Sequence, residues 1–401
     1  MQSSRTFFSA AAEAIANMKE ILTEILVSVP ARSLVRFKCV SKHWYSLISN
    51  PKFCHRHTLQ NSNPNISAFL FVGKIEHESS LDCIRLGTHA NVSGNPFIAL
   101  SGLGLKVVQS CNGLFLCVPR FYERGLHDPI YVINPTTNQF LALSCPKGEV
   151  GNFVRYALAF DPSKSSHYKV VCLSSNEIEI YSSETRTWRL LEISLPSSLD
   201  NFGFGTISTM ENGVYCNGTI HWMTDIFKSR FSYDEGGNLV TDSHLLYYYD
   251  MSEECMGVAG HIPTGESYDS FPHYIRRYFG ESSGHLYLID IYRDSETQFD
   301  VMGMTRDFSG WFVRYHVDLN LVNIGLHNSY LYVLFPGKEE DHQEHERRAS
   351  SVLFIPRCHT IISPKHGKGR RKRNKTFEIS LEGSVVLDQG YYYMETLAPV
   401  M

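Results

Sequence analysis

Near residue 60 the apolar pattern of this chain changes period, so one architecture cannot serve both parts. Ile21, Leu22, Ile25, Leu26 and Val29 recur at helical spacing, with Lys19, Glu20, Thr23 and Glu24 between them. This is the pattern of one amphipathic helix of about two to three turns. Pro30 ends it, because the proline ring clashes with the preceding turn. A second apolar cluster fills residues 31–40, and a third segment carries Trp44, Leu47 and Ile48 behind a possible N-cap, Ser41. Asn50-Pro51 reads as a break, with Phe53 as a last anchor. Three helices in about forty residues bury little apolar surface by themselves. They must pack on the rest of the chain or offer an apolar face to a partner. The linker-like run Asn61-Ser62-Asn63-Pro64-Asn65 favours the partner.

Beyond residue 68 the chain reads as strands and turns. Alternation is clear over residues 156–161 and 177–181, and short apolar runs fill residues 114–118, 130–133, 285–291 and 330–335. Asn-Gly pairs at 112–113, 212–213 and 217–218 are hairpin signals, since both residues tolerate positive φ. Aromatics at 12% suit strands, where flat rings pack on a pleated surface. A loose repeat runs through this region. One element is a turn leading into an alternating strand, at residues 112–116, 217–222, 283–288 and 328–333. The other is a strand, a polar turn and a bulky residue, at 131–137, 180–188 and 248–253. Units of roughly 40–50 residues imply an all-β, kelch-like β-propeller, with room for about six or seven blades.

At two places the residues resemble a known family. Pro30-Ala31-Arg32-Ser33-Leu34-Val35-Arg36-Phe37-Lys38-Cys39-Val40-Ser41-Lys42-His43-Trp44 and Leu47-Ile48-Ser49-Asn50-Pro51-Lys52-Phe53 resemble the F-box of plant F-box proteins. Asn17-Met18 stands where that family usually carries Leu-Pro. Ser110-Cys111-Asn112-Gly113-Leu114, Asn134-Pro135-Thr136-Thr137, Ala159-Phe160-Asp161-Pro162 and Asn217-Gly218-Thr219-Ile220-His221-Trp222 are similar, in order, to its F-box-associated domain. The resemblance implies a three-helix F-box that docks on the Skp-type adaptor of cullin–RING ubiquitin ligases. Its contacts would be Leu22, Ile25, Leu26, Pro30, Leu34, Val40 and Trp44. It also implies a propeller that captures a target protein, whose identity no motif reveals. Catalysis would then be proximity alone, with no acid, base, metal or cofactor from this chain. The alternative is a stand-alone propeller, lectin-like or a scaffold, with the helices as its cap.

The expected organisation is a disordered tail at 1–16, the F-box at 17–59, a linker at 60–68 and the β-propeller at 69–401. Motifs for chemistry are weak. Gly280-Glu281-Ser282-Ser283-Gly284 matches a nucleophile pattern, but that serine must sit on a strand-to-helix turn. The strand-like residues that follow favour a plain hairpin. Cys54-His55-Arg56-His57 and His342-Gln343-Glu344-His345 lack a second ligand pair and read as solvated surface. An oxidase-type propeller would need a metal cluster, and none is legible. Ten cysteines without a CxxC pair suggest reduced, packed thiols in the cytoplasm or nucleus. Neither a secretory leader nor a membrane span of about 20 apolar residues is evident, so the four N-x-S/T sequons carry no weight. A net charge of −4 makes nucleic acid an improbable general partner. Against that acidic total, seven of the eleven residues 365–375 are Lys or Arg. This exposed loop, with Lys368, Arg370, Arg371, Lys372 and Arg373, is a nuclear-import candidate, a patch for an acidic cargo or nucleic acid, or a solvated insertion.

Overall fold

The computed structural model describes residues 19–61, 68–75, 78–85, 104–119, 129–144, 155–173, 177–191, 213–223, 232–233, 239–240, 246–259, 274–282, 284–292, 298–318, 332–334, 352–355, 360–363, 375–378 and 386–400.

Among the described residues the helical unit has four helices, not three: α1 (Lys19–Val27), α2 (Ala31–Phe37), α3 (Lys42–Ile48) and α4 (Pro51–Gln60). The break read at Asn50-Pro51 is the start of α4. The Asn50 side chain accepts from the Lys52 N–H at 2.9 Å, and Pro51 sits at the first helical position. There its missing N–H costs nothing and its fixed φ suits the helix. Ser41 caps α3 as expected, its Oγ accepting from the Trp44 N–H at 3.2 Å. Asn61 is fastened as well, its amide donating to the Val27 and His57 carbonyls, each at 2.9 Å. Residues 60 and 61 therefore pack as part of the helical unit.

Among the described residues all the remaining elements are strands, β1 to β25. Among the described residues, five four-stranded antiparallel sheets and one three-stranded sheet form a β-propeller-like arrangement. The first four-stranded sheet holds β3 (Leu105–Cys111), β4 (Leu114–Pro119), β5 (Ile130–Asn134) and β6 (Gln139–Leu143). The second holds β7 (Arg155–Ala159), β8 (Lys169–Leu173), β9 (Ile178–Ser182) and β10 (Thr187–Leu191). The third joins β11 (Val214–Cys216), β12 (Thr219–Met223), β15 (Leu246–Asp250) and β16 (Cys255–Ala259), with the hairpin β13 (Ser232–Tyr233) and β14 (Leu239–Val240) lying between β12 and β15 in the chain. The fourth is a meander of β17 (Tyr274–Ser282), β18 (His285–Tyr292), β19 (Gln298–Met304) and β20 (Trp311–Asp318). The fifth runs through β21 (Tyr332–Leu334), β22 (Val352–Ile355), β23 (Thr360–Ser363) and β24 (Lys375–Glu378). The ring is closed by β25 (Val386–Tyr393), which pairs with β1 (Ala68–Ile75), itself paired with β2 (Glu78–Arg85).

Inner strands meet around the ring, with β25 against β3, β3 against β7, β7 against β11 and β11 against β17. All five residues of β12 are buried, whereas β10 on an outer edge has none buried. Apolar cores fill the gaps between adjacent sheets. Polar side chains reinforce two of those gaps. The Gln109 amide accepts from the Leu158 N–H at 2.6 Å and donates to the Leu158 carbonyl at 3.2 Å, standing in for a strand neighbour. Arg189 of β10 pairs with Glu254, beside β16.

The sequence repeat is the blade. Its first element is the turn between first and second strands. Asn112-Gly113 and Asn217-Gly218 both have positive φ at both residues, as a type I′ hairpin requires. Its second element is the turn between third and fourth strands, after Asn134, Ser182 and Asp250. The pair at 212–213 differs. Gly213 is absent from the positive-φ residues and leads into β11, its N–H donating to the Tyr156 carbonyl at 3.0 Å. A Cβ there would lie 2.6 Å from the Trp222 indole nitrogen, so the glycine serves a close approach and not a hairpin turn.

Candidate interaction surface of the helical unit

The helical unit has a small core and an unusually apolar exterior. Leu22, Leu26, Val27, Ala31, Leu34, Leu47, Ile48, Phe53 and Cys54 are buried together, and Leu397 from the far end of the chain joins them. Trp44 is half-buried and meets Phe37 edge-on, with ring centroids 5.6 Å apart. Outside this core Ile21 is 45% exposed, Ile25 50%, Val40 61% and Tyr45 58%, and Pro30 is also exposed. Ile21 and Ile25 lie one helical turn apart on the same side of α1. Fully burying such a side chain is worth about 1.5–3 kcal/mol, so this surface is poised to be covered.

Burial divides the seven residues singled out from sequence. Leu22, Leu26 and Leu34 are core, at 3%, 1% and 0% exposure. Ile25, Pro30 and Val40 face outward, and Trp44 does both. Ile21 and Tyr45 were not among the seven, although the spacing of Ile21 from Ile25 carries the signal. Charge adds a second character. From residue 25 to residue 60 there are six Lys or Arg (Arg32, Arg36, Lys38, Lys42, Lys52, Arg56) and no Asp or Glu. Arg56 is held by Glu24 in a two-point pair at 2.8 and 2.6 Å. That hydrogen bond holds the Glu24 carboxyl below its ordinary range. The surface is thus apolar and basic in a chain that is acidic overall, which complements an acidic partner.

The motifs with possible chemistry resolve into structure. Cys54 and His57 are not solvated surface but core, because α4 turns them inward. Cys54 Sγ donates to the Ile48 carbonyl at 3.2 Å, and His57 Nε2 lies 2.8 Å from the Val29 carbonyl. Burial raises the Cys54 thiol and lowers His57. Gly280 to Gly284 belong to the β17–β18 hairpin, where Ser282 pairs with His285 and Gly284 has φ +76°. Among the described residues no three His, Cys, Asp or Glu side chains group as metal ligands, and no helix is long and apolar enough to cross a membrane. The second histidine motif, residues 17–18 and the basic run with Lys368, Arg370, Arg371, Lys372 and Arg373 lie outside the described residues.

A helical unit with an uncovered apolar face, carried on a β-propeller, makes a chain of two modules. Residues 19–56 match the F-box domain, and residues 83–275 match the F-box associated beta propeller domain. In Arabidopsis thaliana, F-box protein At5g07610 is 30% identical over 331 residues, covering 78% of this chain and 73% of that one. F-box/kelch-repeat protein At3g23880 and F-box only protein 8 are each 32% identical, over 51% and 41% of this chain. The chain spans 57% and 58% of the length of these two relatives. The chain belongs to the F-box proteins, with an N-terminal F-box followed by an F-box-associated β-propeller.

Proposed function

We propose that this chain is the substrate-recognition subunit of an SCF-type ubiquitin ligase, working in the cytoplasm or nucleus. The observation that carries the reading is the exposure of Ile21, Ile25, Val40 and Tyr45 on a unit whose interior is already filled. The F-box docks this apolar, basic face on a Skp-type adaptor, through which cullin and RING subunits are reached. The propeller holds a target protein, and a separate conjugating enzyme performs the chemistry. This chain contributes no catalytic group; it raises the effective concentration of the target at the ligase. The basic run at 365–375 serves nuclear import.

Strand direction favours one end of the propeller for the target. The two-residue hairpin turns Asn112-Gly113 and Asn217-Gly218 leave the sheets at the end where Thr396, a helical-unit contact, approaches Gly113. At the opposite side lie the ends of β10 and β16 and the starts of β11 and β17. Recognition segments borne on a rigid frame are the usual carriers of specificity.

The test is co-purification with a Skp-type adaptor, comparing the intact chain with an Ile25→Asp, Val40→Asp double variant. Both side chains are exposed, so the variant keeps its core; Leu34→Ala, at 0% exposure, would confound folding with docking. Binding by the intact chain and its loss in the variant support the reading. Failure of the intact chain to bind overturns it in favour of a stand-alone propeller. Import is tested separately, with a reporter bearing residues 365–375; a reporter that stays cytoplasmic removes that part.

A further inference from the structure

The last described residues of the chain touch both modules at once, through several hydrogen bonds. Tyr391 Oη donates to the Val107 carbonyl at 2.6 Å, and Tyr393 Oη lies 3.0 Å from Thr136 Oγ1. The Thr396 N–H donates to that same Thr136 oxygen at 3.2 Å. Asn134, fully buried at the end of β5, donates from its amide to the Thr396 carbonyl at 3.1 Å and the Ala398 carbonyl at 2.8 Å. Ala398 and Val400 enter the core between the first two four-stranded sheets, and Tyr168 Oη donates to the Val400 carbonyl at 3.4 Å. A Cβ on Gly113 would lie 2.5 Å from Thr396 Cγ2 and 2.6 Å from the Met394 carbonyl, so the turn makes room for this segment.

The other side of the segment serves the helices. Leu397 is 2% exposed inside the F-box core, among Leu22, Leu26, Leu34 and Phe53. Thr396 Oγ1 lies 3.2 Å from Thr58 Oγ1 of α4. A Glu395 carboxylate oxygen accepts from the Arg32 N–H at 3.2 Å. The residue before α2 is Pro30, whose side chain caps nothing, and this distant carboxylate supplies an acceptor to the first turn of the helix.

From these contacts we infer that residues 391–400 form a strap fixing the F-box to the propeller, and that Asn134 is its positioning residue. A comparison of turns within the molecule supports Asn134 in particular. At the matching position of the third sheet, Asp250 accepts from the Ser252 and Glu253 N–H groups at 2.8 and 3.0 Å. Asn134 Oδ1 does the same for Thr136 and Thr137, at 2.9 and 3.3 Å. Either residue type makes that turn; only the amide also donates to the strap. The F-box core is completed only when Leu397 is delivered, so helical order depends on strap attachment, and the angle between the two modules is fixed. This inference does not depend on which protein the F-box docks.

Hydrogen exchange on the full chain tests it. Leu397→Ala is expected to speed exchange of the slow amides in α1 and α4 about thirty-fold or more, a large-to-small loss in a core this small. Asn134→Asp keeps the turn acceptor, removes both donors and touches no helix, so faster exchange in α1 and α4 there is the signature of a strap. Asp250→Asn, the control, leaves both helices unchanged. Unchanged exchange in α1 and α4 with Leu397→Ala overturns the inference. So does an Asn134→Asp protein that loosens β4 and β5 but not the helices.

Discussion

In α1 the apolar residues divide, with Leu22, Leu26 and Val27 buried while Ile21 and Ile25 stay about half exposed. In β12 no such division occurs, because Thr219, Ile220, His221, Trp222 and Met223 are all buried. The two modules thus meet the same demand differently. Sheets stacked around a ring have a neighbour on each face, so the middle strands bury everything. A unit of four short helices has neighbours on one side only, completes its core with Leu397, and leaves its other apolar side uncovered. A surface left in that state is open to a partner, whereas a fully covered strand is a frame.

Breaking the frame should cost most. Trp222→Ala, at 1% exposure and beside Gly213, is expected to lower stability by about 3–5 kcal/mol. Urea unfolding followed by tryptophan fluorescence measures it. Acid should weaken the same sheet next. His221 is fully buried, and its ring lies 4.7 Å from Phe308. Burial pushes its pKa from 6.5 down to about 4. The unfolded chain therefore takes up a proton at a higher pH than the folded one. Stability from this group is complete above pH 6.5 and falls between there and about pH 4, by about 3 kcal/mol in total. His221→Gln should flatten that part of a stability–pH curve.

The helical unit offers smaller effects. Ser41→Ala removes the acceptor for the Trp44 N–H and should cost about 1 kcal/mol, read as faster exchange in α3. Glu24→Gln breaks the exposed pair with Arg56 and should leave the melting midpoint unchanged within error. A large shift there would mean that surface charge, not the core with Leu397, holds the helices together.

Most of the fold was legible from period and turn chemistry. The turn at Asn112-Gly113 and the polar turn after Asp250 follow from residues that tolerate positive φ or accept backbone N–H groups locally. What escaped was non-local. Pro51 looked like an end because proline stops a helix from within, yet the same ring starts one when Asn50 caps it. Cys54 and His57 looked solvated beside polar neighbours until α4 faced them inward. Burial of Leu34 against exposure of Val40 needs the packing of α2, which six residues of spacing do not specify. The strap was invisible for the same reason, since Asn134 and Thr396 meet across 262 positions.

The most direct measurement of the account is hydrogen exchange of the intact chain with and without a purified Skp-type adaptor. Protection gained within residues 19–48, with β3 to β20 unchanged, is the expected result. Protection gained in the propeller strands, or none anywhere, would contradict the division into a docking unit and a frame.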